Sequence, residues 1–226
     1  MEESDQFKNS NRNNRQAGTL RLLAHYPKQV LTVVGMTLGG TISFYTYTTY
    51  LQQFMINTTG LSKKTAAMIN FVALLVMVVL QPLFGHLSDR IGRKPLLIFF
   101  GIGGTLCTVP LFTLMAGAST ALEALLLMIV GIVIVSGYTS INAIVKADLF
   151  PSEIRALGVG MPYGLTVALF GGTVNYIALW LRSIHLESAF FWYVSGAVFI
   201  SLLVYAFVLK PGSLIDEEMT ESTTTD

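Results

Sequence analysis

The chain has 226 residues, of which 53% are hydrophobic and 12% charged, and its formal net charge is +1. Soluble domains carry about 25% charged residues, whereas here the apolar residues gather into six runs, each long enough to cross ~30 Å of hydrocarbon as a helix. With one cysteine and no charge excess, a disulfide scaffold, a nucleic-acid-binding domain and an ordinary soluble enzyme are excluded, and an all-α polytopic membrane protein is expected.

Residues 1–28 are polar and Asn-rich and read as a flexible or partly helical cytoplasmic leader. Their start, Met1 to Gln6, is acidic and lacks the basic-then-apolar order of a signal peptide. The bundle at 29–209 divides into spans at about 30–54, 66–86, 96–116, 122–147, 156–181 and 189–209. A polar tail at 210–226 is expected to be disordered and cytoplasmic. Eleven basic residues fall on one side of these spans: Lys8, Arg12, Arg15, Arg21, Lys28, Arg90, Arg93, Lys94, Lys146, Arg155 and Lys210. Only Lys63, Lys64 and Arg182 fall on the other. The imbalance predicts that both termini are cytoplasmic.

Spans one, two, four and five carry polar residues, among them Gln52, Asn70, Gln81, Ser140, Tyr163 and Tyr176. Spans three and six carry no charge, as lipid-facing outer helices should. Each polar residue alone reads as an interhelical hydrogen bond. Together, four polar helices and two apolar ones predict a solute cavity. Tyr138, Asn142 and Lys146, at i, i+4 and i+8, share one face of span four. Lys146 lies near the cytoplasmic end and is expected to snorkel to the interface; contact with substrate is its alternative role. Tyr45, Thr49 and Gln52 or Gln53 share a face of span one, and Asn175 joins them as candidate lining on the extracellular side.

Small residues predict close packing at Gly35 and Gly39 in span one, and at Ala156, Gly160 and Gly164 in span five. Pro162, Gly171 and Gly172 are expected to interrupt span five, as at transporter binding sites. Cys107 reads as a packing residue, His25, His86 and His185 as interfacial, and the sequon at Asn57 as unmodified. No residue pattern calls for a cofactor or a metal.

Between spans two and three stands Gly85-His86-Leu87-Ser88-Asp89-Arg90-Ile91-Gly92-Arg93-Lys94-Pro95. It resembles the GxLxDRxGRKP loop of the major facilitator superfamily, a short cytoplasmic turn between two helices. Physically, Gly85 would let helices approach, and Asp89 would meet a helix N-terminus. Gly92 would make the turn, while Arg93 and Lys94 would anchor span three at the anionic leaflet. The stretch from Lys146 to Gly160, with Phe170-Gly171-Gly172 after it, resembles the link between spans ten and eleven in the metabolite:proton symporter family. Within that family the α-ketoglutarate permeases are most similar, through Phe44-Tyr45, Thr48 to Gln52, Asn57 to Gly60, Tyr138 to Ile141, Arg155 to Gly160 and Ala189 to Val194.

The resemblance implies one six-helix half of a superfamily fold, the C-terminal one, with residues 1–28 ending the central loop. It implies proton-coupled symport of a dicarboxylate such as α-ketoglutarate, by alternating access across the cytoplasmic membrane. Its partners would be the organic anion, a proton, the lipid bilayer and either an N-terminal six-span half or a second copy, with no nucleic acid. Asp89, Arg93, Asp148, Glu153 and Arg155 would form a charge cluster closing the cytoplasmic gate. No Asp, Glu, Arg, Lys or His lies near the centre of a span, so the coupling acid and main substrate cations would belong to the N-terminal half. The alternative is a truncated or inactive membrane subunit, structural or regulatory, with no transport of its own.

Overall fold

The computed structural model describes residues 25–209 except Glu153. The tail and all but the last four residues of the leader lie outside the described residues. Among the described residues there are six membrane-length helices and no strand: α1 (Pro27–Asn57), α2 (Lys63–Ile91), α3 (Arg93–Ala116), α4 (Ala121–Ala147), α5 (Arg155–Ser183) and α6 (Glu187–Val208).

Local chemistry sets the ends. Pro27 opens α1, where its missing N–H costs nothing. Ser62 caps α2 by accepting from the Thr65 N–H at 3.1 Å, and Thr120 with Glu123 forms a reciprocal capping box on α4. Most of the motif that reads as a loop is helical. Gly85 to Ile91 form the last two turns of α2, and α3 restarts at Arg93. The turn is Gly92 alone, whose φ of +88° suits glycine.

Four helices depart from uniform α geometry, α6 through a closing π-wound stretch at Val204–Val208. In α1 the segment Thr46–Tyr50 is π-wound, as is Val167–Gly171 in α5. Span five is therefore rewound at Gly171, and Pro162 is accommodated within the helix, where Thr166 Oγ1 donates to its carbonyl at 2.7 Å. Span four, read as one helix, breaks at Ser140 and Ile141 before resuming at Asn142.

The packing reverses one expectation. Spans three and six are not merely lipid-facing: α3 and α6 pack on each other, α6 also packs on α1, and α4 packs on α2 and α3. The most exposed helices are two of the four polar ones, α2 and α5, whose membrane-crossing stretches are 17% and 22% buried, while the polar α1 and α4 are the most buried, at 61% and 56%. The Gly35/Gly39 face works as expected. A side chain at Gly39 would stand 2.7 Å from the Ala197 oxygen and Val198 Cα. The Ser201 hydroxyl enters that space, accepting from the Gly39 N–H at 2.9 Å and donating to the Gly35 carbonyl at 2.6 Å. The Ala156, Gly160 and Gly164 face does not pack within the bundle. Nothing lies within 4 Å of a Cβ built at Gly160 or Gly164, nor at Gly85.

Several polar residues knit helices together. Asn70 donates to Gln52 at 2.8 Å, joining α2 to α1, and Gln81 donates to Thr139 at 3.0 Å, joining α2 to α4. At the end opposite the motif, Tyr50, Phe54, Phe112, Phe190 and Phe191 form an aromatic cluster, with Phe112 stacked on Phe191 at 4.7 Å.

Candidate functional site

A cavity of about 230 Å³ lies between α1, α4 and α5. Thr41 and Tyr45 line it from α1, Tyr138, Thr139 and Asn142 from α4, and Tyr163 from α5. Two glycines make room for its rings. The Tyr138 ring occupies the space where a Gly40 Cβ would stand, 2.2 Å from the nearest ring atoms. Tyr45 comes within 2.6 Å of the Cβ position of Gly171, at the end of the π segment of α5. The break in α4 places Asn142 at the start of a new helical stretch, where its amide donates to the Thr139 carbonyl at 2.9 Å.

Lys146 does not snorkel to the interface. Its residue is 1% exposed, and its ammonium turns back along α4 to donate to Tyr138 Oη at 2.8 Å and Asn142 Oδ1 at 3.1 Å. It also stands 4.4 Å from the centre of the Tyr163 ring and 5.2 Å from that of Tyr138. The i, i+4, i+8 face is thus assembled, although the helix breaks within it.

The structure divides the other candidate lining residues. Tyr45 joins the cavity, but Thr49, Gln53 and Asn175 are absent from its wall. Thr49 is exposed, because the π segment that begins at Thr46 turns the remainder of α1 away from the register a regular helix would keep. The Asn175 amide oxygen is buried without a hydrogen-bond partner among the described residues. Tyr163 was not singled out as a site residue from the sequence. Its spacing from Tyr138 and Lys146 carries no periodic signal, since it reaches them from another helix.

The expected gate cluster forms in part. Arg93 and Asp148 meet in an ion pair between the α2–α3 turn and the α4–α5 loop. Arg155 instead donates to the Phe150 carbonyl at 3.3 Å. Asp89 and Arg90 are exposed and make no hydrogen bond or ion pair with the described residues, so Asp89 caps no helix here. Glu153 lies outside the described residues. Lys94 does not reach toward the leaflet. It donates to the carbonyls of Ala206 at 2.9 Å and Leu209 at 2.6 Å, closing the C-terminal end of α6, where carbonyls lack helical partners.

A polar knot at the opposite end was not legible in the sequence. Glu187 accepts from Tyr50 Oη at 3.1 Å and from Thr58 Oγ1 at 3.0 Å, with Arg182 Nε 3.8 Å away. Arg182 also donates to the Asn57 carbonyl at 2.9 Å, so the end of α1 is tied to the α5–α6 turn.

Comparison with known proteins fits this architecture. The sequence matches the profile of the sugar (and other) transporter family over residues 1–220. It is 40% identical over 198 residues to the α-ketoglutarate permease of Escherichia coli K12, an alignment covering 88% of this chain and 46% of the permease. It is 29% identical over 165 residues to the ectoine/proline transporter of Corynebacterium glutamicum (73% of this chain, 32% of that protein). With the proline/betaine transporter of Escherichia coli K12 the identity is 26% over 157 residues, 69% of this chain and 31% of that protein. The chain therefore spans less than half the length of these curated relatives. No solved structure gives a significant match. These relatives are transporters and permeases rather than enzymes, and the match along nearly the whole chain agrees with six membrane-length helices: the chain belongs to the sugar (and other) transporter family of the major facilitator superfamily and folds as a six-helix half of it.

Proposed function

We propose that the chain is the C-terminal half of a secondary transporter that carries a dicarboxylate such as α-ketoglutarate together with a proton. The cavity between α1, α4 and α5 carries this reading. It is walled largely by phenol, hydroxyl and amide groups that flank the break in α4 and lie next to the π-wound segments of α1 and α5, and discontinuous helices are where transporters bind solutes. No carboxylate or histidine lines it, so the proton-coupling acid is assigned to an N-terminal six-span half. That half would cover α2 and α5, and alternating access would be the rocking of one half against the other. Coexpressed with the six-span N-terminal half of an α-ketoglutarate permease, the chain is expected to support accumulation of labelled α-ketoglutarate that a protonophore abolishes. Assembly of the two halves in the membrane without such uptake would refute the reading.

The basic residues favour a cytoplasmic-membrane orientation with both termini and the Gly92 turn inside. A cysteine at Ser62 is expected to react with an impermeant maleimide added from outside, and one at Asp89 only after the membrane is opened. The opposite pattern would invert the topology.

A further inference from the structure

We infer that Lys146 is the residue of this half that binds a carboxylate of the transported solute, and that it tunes the site toward net anions over zwitterions. The inference rests on reading the chain as half of an organic-solute carrier. Lysine is among the residues most rarely enclosed without a partner, because taking an ammonium out of water is repaid only by a counter-charge and good hydrogen bonds. Lys146 is 1% exposed and has no counter-charge: the ion pairs among the described residues are Arg93 with Asp148 and Arg182 with Glu187. Its oxygen partners, Tyr138 Oη and Asn142 Oδ1, are both neutral, as is the Tyr163 ring beside it. A lysine ammonium has three N–H donors, so one lacks an oxygen acceptor and the full charge is unmatched.

The groups that hold Lys146 are also the wall of the cavity, since Tyr138, Asn142 and Tyr163 line it. An anion entering there meets a cation already enclosed and oriented, so little ordering remains to be done on binding. The cavity, at about 230 Å³, is smaller than the ~300–1,000 Å³ of sites for drug-sized ligands. It suits one carboxylate with its neighbouring carbons, the rest of the solute extending toward the other half. Tyr45, Tyr163 and Thr41 line the same space and bring further hydroxyl-bearing side chains to it. No acidic side chain lines it, so the positive end of a zwitterion such as betaine meets aromatic faces there but no carboxylate, and close to the Lys146 ammonium it is repelled.

Two measurements on the purified 226-residue chain in lipid nanodiscs test this. In the first, labelled α-ketoglutarate is titrated against wild type, Lys146→Met and Lys146→Arg, each checked for a monodisperse, helical fold. Loss of one charged hydrogen-bonding partner predicts an affinity about thirtyfold weaker in Lys146→Met, with Lys146→Arg retaining most of the binding and glycine betaine competing weakly in wild type. The second needs no variant. It follows reductive methylation of Lys146 by mass spectrometry, a reaction that an amine so enclosed undergoes only as the cavity opens. The rate is expected to slow about tenfold at α-ketoglutarate about ten times its Kd, because only the unliganded fraction reacts, and to be little affected by glycine betaine. Equal affinities in wild type and Lys146→Met, or a methylation rate indifferent to α-ketoglutarate, would overturn the assignment. So would an absence of α-ketoglutarate binding by the wild-type chain. Binding lost in Lys146→Met, combined with no uptake by the two assembled halves, would sustain the anion site while refuting the transport reading.

Discussion

Replacing Gly39 with alanine is expected to lower the thermal midpoint of the bundle in detergent by about 5 °C or more, whereas Gly160→Ala leaves it unchanged or raises it slightly. The two glycines look alike in sequence, each spaced four residues from another small residue. Their surroundings differ. An added Cβ at Gly39 would come within 2.7 Å of the Ala197 oxygen and the Val198 Cα, which are backbone atoms. It would also fall 2.8 Å from Ser201 Oγ, the hydroxyl that bridges Gly35 and Gly39. No flexible side-chain tip is available to retreat, so α1 and α6 must separate. Such overpacking costs about 1–3 kcal/mol, and in a chain of this size 1 kcal/mol moves the midpoint by about 2–4 °C. At Gly160 the Cβ meets nothing, and alanine in a helix is favoured over glycine by roughly 0.5–1 kcal/mol. Size-exclusion melts of the two variants beside wild type decide the matter. Equal losses in both would mean that the Gly35/Gly39 contact does not hold the bundle together.

What was legible in the sequence follows from which interactions are local. The six spans could be read because crossing hydrocarbon needs a long apolar run, and the turn at Gly92 could be read because its motif falls between two such runs. The helix ends ran past the apolar limits, since caps such as Ser62 and Thr120 extend a helix into polar sequence. The shared face of Tyr138, Asn142 and Lys146 was likewise a local pattern, and it survives the break at Ile141. The direction of the lysine was not local. Snorkelling is the default for a basic residue near a membrane edge, and it was overridden because α5 brings Tyr163 over the ammonium and α4 supplies two acceptors. Thr49 and Gln53 fall outside the wall of this cavity for a related reason. Helical spacing assumes 3.6 residues per turn, and a π segment at Thr46–Tyr50 spends an extra residue that no pattern in the side chains announces. The exposure of α2 and α5 was unreadable from polarity, because the polar residues of these spans (Asn70, Gln81, Tyr163) are of the same kinds as those of the buried α1 and α4 (Gln52, Tyr138, Ser140).

The chain incorporated alone into vesicles is expected to show no proton-driven accumulation of α-ketoglutarate, and uptake is expected to return when an N-terminal half is supplied. Coupling requires a group that takes up the proton in the same cycle that carries the solute. The cavity wall offers phenols, hydroxyls and an amide, with Lys146 behind them, and no carboxylate. The acids among the described residues lie elsewhere: Asp89 and Asp148 at the motif end, Glu123 and Glu187 in the first turns of α4 and α6 at the other. A second copy of the chain repeats this arrangement and adds no acid to the cavity. Movement is missing as well. α2 packs on α4 and α5 on α1, and their membrane-crossing stretches, 17% and 22% buried, turn most of their surface away from the six-helix unit. Alternating access needs two bodies that rock about the solute, and one six-helix unit is a single body. The two halves need no covalent link to meet, because membrane helices insert before they associate. The measurement is labelled α-ketoglutarate uptake under an imposed proton gradient, in vesicles holding the chain with and without the N-terminal half of an α-ketoglutarate permease. Gradient-dependent accumulation by the chain alone would place both the coupling group and the moving interface within these six helices, with Glu187, which ties α1 to the α5–α6 turn, as the first residue to replace.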